Sequence, residues 1–239
     1  MSFERCTRSI SWQRVRVLYV RAFSGLVFLL AVLAAALFGG AGTLAYWQAW
    51  TFLAVFSVAV TAITVDLAKR DPALLDRRVH AGPIAETARA QQVIQALASL
   101  VFLALFAVSA LDRRFGWSHV PVPFIVAGDA LVALGLYIVF RVFRVNTFTS
   151  ATIGVEREQH VVDTGPYAVV RHPMYAGALV MLLGVPLALG SWWGLLVWPA
   201  MTVVIVVRLL DEEQRLMGEL GGYADYTTRV ASRLIPRLW

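Results

Sequence analysis

Three stretches of this sequence contain no Asp, Glu, Lys or Arg: residues 22–65, 90–111 and 172–207. A helix crosses a bilayer with about 20 apolar residues, and each stretch reaches or exceeds that length. Inside a bilayer the backbone must satisfy its own hydrogen bonds, so such stretches fold as helices. The first is too long for one helix and breaks at Gly39-Gly40-Ala41-Gly42, which predicts a helical hairpin over about 17–38 and 44–65. The second is one span. The third breaks near Gly190-Ser191 into two short spans, about 174–189 and 193–207. Residues 121–140 form a further span, interrupted only by Asp129. The expectation is an all-α, polytopic bundle of five or six transmembrane helices. The last two spans are each short enough that one could be re-entrant.

The charges that remain follow the positive-inside rule. With a cytoplasmic N-terminus, 19 of the 21 Lys and Arg residues fall on the cytoplasmic side, and Arg113 and Arg114 alone fall outside. Both termini are therefore expected in the cytoplasm. A cleaved signal peptide is a competing reading of the first span, but the basic stretch before it is long and a second span follows at once. The net charge of +6 does not indicate nucleic acid as a partner, because the basic residues flank apolar spans and form no stripe. One cysteine, Cys6, excludes a disulfide framework and a cysteine metal cluster. The segments between spans are too short for a βαβ nucleotide-binding domain. No G-x-G-x-x-G, P-loop, H-E-x-x-H or C-x-x-C pattern occurs, and no internal repeat is visible.

Polar residues concentrate at the cytoplasmic ends of the last three spans. Gly165-Pro166 is a turn signal, and Pro173 suits the first position of a helix, where its missing N–H costs nothing. The fifth span would open at His172-Pro173-Met174-Tyr175, its free N–H groups suited to a carboxylate or a polar cofactor. Gly177 would let a helix or a flat ligand approach. Arg208 and Glu212, four apart, project from one helix face, while Glu213 faces elsewhere. Spacing alone leaves two readings open: a substrate clamp with a cofactor anchor, or a snorkelling arginine followed by a solvated acidic run.

Arg171-His-Pro-Met-Tyr-Ala-Gly177, the upstream Gly165-Pro-Tyr167, and Glu212-Glu213 followed by Leu216, Gly222, Tyr223, Tyr226 and Ile235-Pro236 carry a resemblance. This ordered set, over about the last 100 residues, resembles the isoprenylcysteine carboxyl methyltransferase family, grouped with the phospholipid methyltransferases. The resemblance implies an integral membrane methyltransferase that uses S-adenosylmethionine without a nucleotide-binding domain. It divides the chain into N-terminal transmembrane helices (1–140) and a cofactor-binding, catalytic region (141–239). Cofactor contacts would come from Gln159, His160, Val161, Val162, Tyr167, His172, Pro173, Met174, Tyr175 and Glu212. Arg208 would hold the acceptor, and Arg208 and Glu212 would be the catalytic pair. Gln159 stands where eukaryotic members have histidine, and 151–158 has no close match. The implied acceptor is lipophilic, a small molecule or a prenylated peptide reached from membrane lipid: foremost the carboxylate of a prenylated cysteine or a similar isoprenoid acid, with a small thiol and a lipid amine left open.

Two rivals remain. The tyrosine-rich tail ending in Ile235-Pro236 also resembles NADPH-dependent membrane sterol and enone reductases. A small transporter would use Asp129 and Arg208 as intramembrane charges. Asp129 would otherwise pair with Arg141 or Arg144. His80 and His119 read as solvated loop residues. His160 and His172 have no third partner, so no metal is expected. Trp47, Trp50, Trp192, Trp193 and Trp198 are expected as anchors at the outer interface. Residues 71–89 are expected to lie on the cytoplasmic membrane surface. The spacing Gly190 to Gly194 falls in a loop and indicates no dimer, and the oligomeric state is not encoded legibly.

Overall fold

The computed structural model describes residues 12–79, 89–149 and 159–239. His80 and the 151–158 segment lie outside the described residues. The described residues form helices and connecting turns without strands. In chain order the helices are α1 (Trp12–Ala41), α2 (Trp47–Arg70), α3 (Pro72–Val79), α4 (Arg89–Phe115) and α5 (Val122–Val145). Then follow α6 (Pro173–Ala188), α7 (Trp192–Leu195), α8 (Trp198–Glu219) and α9 (Tyr223–Arg229). Among the described residues five spans are long and apolar enough to cross a membrane, the last of them made by α7 and α8 together. The fifth expected span, α6, has only 16 residues, about 24 Å of helix.

The breaks fall where the sequence sets them. α1 stops at the glycine cluster, and Gly42 turns the chain with φ 66°. α6 stops before Gly190, whose φ of 71° is a conformation that a side chain would oppose. α8 does not stop where the apolar residues do. It continues to Glu219, so Arg208, Glu212 and Glu213 share one helix with the membrane span.

The tightest pairing in the bundle is α5 against α6, and glycine makes it possible. Gly128 and Gly135 on α5 face Gly184 and Gly177 on α6. A Cβ at Gly128 would lie 2.2 Å from the Ala188 nitrogen, and one at Gly135 would lie 2.5 Å from the Gly177 oxygen. Backbones in such contact gain dispersion energy that lipid tails do not match. Gly177 thus admits a helix, the first of the two possibilities its position offered.

The end of the bundle away from the C-terminal tail is stitched by polar contacts. The Tyr46 hydroxyl donates to the Leu189 carbonyl at 2.7 Å, and the buried Asp112 accepts from Ser118 at 2.6 Å and from Ser191. Trp47, Trp50, Trp192 and Trp193 are exposed at this end, as anchors would be. Trp198 departs from the expectation. It is half-buried against the core and donates its Nε1–H to the Leu179 carbonyl at 3.1 Å, because α8 begins inside the bundle.

One further expectation is corrected. Asp129 pairs with neither Arg141 nor Arg144, which lie about 18 Å or more further along the same helix axis. Asp129 lies beside Thr51 of α2, while Arg141 bonds Tyr137 and Arg144 pairs with Asp66 at 3.2 Å. The described part of the segment after α2 packs on the bundle. Asp71 caps α3 by accepting from the Leu74 N–H at 2.9 Å, and Leu74 and Leu75 are buried against α1 and α2. That docking turns Arg78 inward.

Candidate active site

At the tail end of the bundle a cavity of about 640 Å³ opens among α1, α3, α4, α6, α8 and the 159–168 loop. Its volume falls within the usual range for small-molecule sites. The loop is held in place by hydrogen bonds at both of its ends. Gly165 turns the chain with φ 59° into a short 3₁₀ turn (Gly165–Ala168). The Asn146 amide at the end of α5 donates to the Tyr167 hydroxyl at 2.9 Å, and the Tyr226 hydroxyl of α9 donates to the Tyr167 carbonyl at 2.7 Å. Arg229 reaches Asp163 at 2.7 Å. Val161 packs on Leu220, Tyr223 and Tyr226.

Burial drives the phenols of Tyr167 and Tyr223 above their ordinary range, and pushes that of Tyr226 up to about 12. At neutral pH these three groups are therefore uncharged hydrogen-bonding hydroxyls. They offer polarity to a ligand without a competing negative charge.

α6 starts at Pro173 with His172 as its N-cap residue. The C-terminal tail fixes this start. The N–H groups of Arg171 and His172 donate to the carbonyls of Ser232 and Arg233 at 2.9 and 3.0 Å. Glu213, 7% exposed, forms the ionic centre of the clamp, pairing with Arg233 Nε at 2.7 Å and with Arg171 Nε at 3.1 Å. The 100° offset between successive helix positions explains the division of labour. Glu213 clamps the tail, whereas Glu212 lines the cavity and accepts from the Tyr175 hydroxyl at 2.6 Å.

Nine of the ten expected cofactor residues line this one cavity: Gln159, His160, Val161, Val162, Tyr167, His172, Met174, Tyr175 and Glu212. Arg208 lines it as well. Pro173 does not, since it is buried beneath the first turn of α6. Arg208 is 9% exposed, and its Nη1 donates to Gln91 Oε1 at 3.1 Å. Among the described residues no group of three or more His, Cys, Asp or Glu could hold a metal ion. His160 instead meets the Phe148 ring edge-on at 5.0 Å.

Sequence reasoning missed several residues of the wall. Arg78 of α3 lines the cavity and lies over the Phe143 ring at 5.1 Å. Burial lowers its pKa, opposed by the nearby Tyr175 and Tyr167 and reinforced by Arg208. Nothing in local spacing announces that it approaches residues 65 or more positions away. Gln95 lines the cavity and Gln91 supports it from α4. Their polarity inside a charge-free span was the available signal. The cavity also continues into the bundle along Leu29, Leu33, Phe102, Leu103, Met201 and Ile205. Its wall therefore draws on residues before 140 as well as after. One end of the cavity is polar and the other is hydrocarbon.

No curated protein matches this chain in a sequence search. Residues 123–223 match the family model described as phospholipid methyltransferase. The matched stretch runs from α5 through the loop and α6 to the start of α9, and includes both Arg208 and Glu212. A multi-pass helical bundle with this stretch points to a membrane methyltransferase. The stretch that carries most of the cavity's polar wall, residues 123–223, is thus similar to the phospholipid methyltransferase family, with which the isoprenylcysteine-methyltransferase-like membrane enzymes are grouped.

Proposed function

We propose that the protein transfers a methyl group from S-adenosylmethionine to the carboxylate of a lipophilic acceptor, a prenylated cysteine or a similar isoprenoid acid. The observation that carries this reading is the single cavity with a polar end and a hydrocarbon end. The donor set fits the cofactor: Glu212 suits its amino group, the neutral hydroxyls of Tyr167, Tyr175 and Tyr223 suit its polar edges, and Val161 and Met174 suit its ring. The charges favour an anionic acceptor over an amine. Among the described residues that line the cavity, Arg171 pairs with Glu213 and Arg215 with Asp211, and Arg78 and Arg208 share the wall with one carboxylate, Glu212.

When bound, the cofactor would supply an electrophilic methyl group for the acceptor oxygen, with its own sulfur as the neutral leaving group. The residues then have two tasks. Arg208 binds and orients the acceptor carboxylate by charge-assisted hydrogen bonds. The apolar walls of α1, α4 and α8 hold the acceptor's tail and exclude water from the attacking oxygen, so that rate comes from position and desolvation. The polar end faces the cytoplasm in this reading, with both termini on that side.

The test uses purified protein in detergent, tritium-methyl cofactor, and a panel comprising a prenylcysteine, an isoprenoid acid, a lipophilic thiol and a phosphatidylethanolamine. Base-labile label on the acids, lost in Arg208→Ala and Glu212→Ala variants that melt like the wild type, supports the proposal. Binding of NADPH with no binding of S-adenosylmethionine overturns it. Label confined to the amine overturns the choice of acceptor.

A further inference from the structure

Arg208 shares α8 with Asp211 and Glu212, three and four positions on, the spacing at which an intrahelical ion pair forms. A residue from another helix comes between. Gln91 of α4 is fully buried, at 0% exposure. Its Oε1 accepts from Arg208 Nη1 at 3.1 Å, and its Nε2 donates to Asp211 Oδ2. Chemistry dictates this orientation of the amide, because a guanidinium only donates and a carboxylate only accepts. Asp211 is engaged on its far side by Arg215 Nε at 3.1 Å. Tyr175 makes a parallel arrangement, donating to Glu212 at 2.6 Å while it also faces Arg208.

We propose that Gln91 is a positioning residue for the acceptor site: it grips the Arg208 guanidinium through a neutral amide and keeps Asp211 from pairing with it. The proposal rests on the reading of Arg208 as the acceptor's anchor. An amide is suited to this role because it fixes a guanidinium without adding a negative charge. A carboxylate at the same place would grip harder and would repel the anion that Arg208 has to bind. An arginine side chain has many rotamers, so fixing it in advance also lowers the entropic cost of binding. Gln91 lies outside the family match at 123–223. A helix of the N-terminal region thereby acts on the site.

The experiment measures the binding of two probes to the full-length protein in detergent, N-acetyl-S-farnesylcysteine and its methyl ester. They share the tail and differ in the carboxylate, so the ratio of their affinities reports the charge that Arg208 presents. Gln91→Glu is isosteric and places a carboxylate on Arg208. Gln91→Met keeps the volume and lets Asp211 approach. In both variants the acid-to-ester ratio should fall at least about tenfold, with ester and S-adenosylmethionine affinities within about twofold of the wild type. An unchanged ratio in either folded variant overturns the proposal. So does a parallel loss of acid, ester and cofactor binding, or failure of both variants to fold, since each marks Gln91 as structural only. If the wild type itself does not prefer the acid, the carboxylate-acceptor reading has failed, and this proposal fails with it.

Discussion

Replacing Gly128 by alanine should destabilise the protein, against the ordinary rule for a glycine inside a helix. Alanine normally gains about 0.5–1 kcal/mol there, because it restricts the unfolded chain and costs no side-chain entropy. Gly25 in α1 is a fair control, since a Cβ there would meet no heavy atom within 4 Å. At Gly128 the new Cβ would lie 2.2 Å from the Ala188 nitrogen, 2.7 Å from the Leu187 carbonyl carbon and 2.8 Å from the Gly184 oxygen. All three are backbone atoms, so no rotamer change relieves the clash. α5 and α6 must part by about 1 Å along their closest pairing. Overpacking costs about 1–3 kcal/mol, and three backbone atoms in the way put this site at about 2–3 kcal/mol, which leaves roughly 1–2 kcal/mol net after a propensity gain of about 1 kcal/mol. For a chain of this size that is a fall in melting temperature of roughly 2–8 °C. Thermal unfolding in detergent, followed by tryptophan fluorescence for wild type, Gly25→Ala and Gly128→Ala, measures the contrast. A Gly128→Ala protein that melts at or above the wild type would refute the claim that backbone contact holds this helix pair. Gly135 stands nearer the site, and a Cβ there would lie 2.5 Å from both the Gly177 oxygen and the Met181 nitrogen. Gly135→Ala should therefore also displace the α6 start and reduce methyl transfer.

The Glu213 clamp should be worth more than its exposed arm. Glu213→Gln leaves the 9%-exposed Arg171 without that counter-charge and is expected to cost about 3 kcal/mol. Arg233→Ala, at a side chain 31% exposed, should cost nearer 1 kcal/mol; denaturant titration of both variants decides, and the reverse order would count against a buried ionic centre. The phenol of Tyr226 titrates near 12 in the fold, chiefly through burial, against the usual value of 10.0. Between those pH values the unfolded chain has lost a proton that the fold retains, so stability falls as pH rises through the window. Tyr226→Phe should lose about 1 kcal/mol at neutral pH with its hydrogen bond to Tyr167. It should also show a shallower alkaline loss, and melting curves at several pH values compare the two slopes. An identical slope in the variant would place the alkaline transition elsewhere.

Most of the membrane architecture was legible in the order of residues, because a bilayer imposes a one-dimensional rule. A span needs an uninterrupted apolar stretch, and its boundaries are written as charges, glycines and prolines along the chain. Gly42, Pro173 and Gly190 therefore marked real helix ends. The cavity's polar wall was also largely foreshadowed, since the loop, the α6 start and the Arg208–Glu212 turn each form a local pattern. Trp198 and Asp129 were less legible. Whether a tryptophan faces lipid or core, and what stands beside a buried carboxylate, depend on the neighbouring helix and not on the residue's own surroundings in sequence.

Sequence by itself determined that the chain is a bundle of apolar helices and that its polar chemistry gathers at one end. Tertiary structure alone decided what completes the site. Arg78 comes inward because Leu74 and Leu75 bury α3, and Gln91 reaches Arg208 across 117 positions of chain. Gly177 serves a helix and not a ligand because Gly135 is opposite it. The physical reason is common to all three. Patterning fixes which face of a helix avoids water or charge, but a contact between two faces depends on how the helices pack. In this bundle that packing is set by close backbone approach and by a few buried polar bonds.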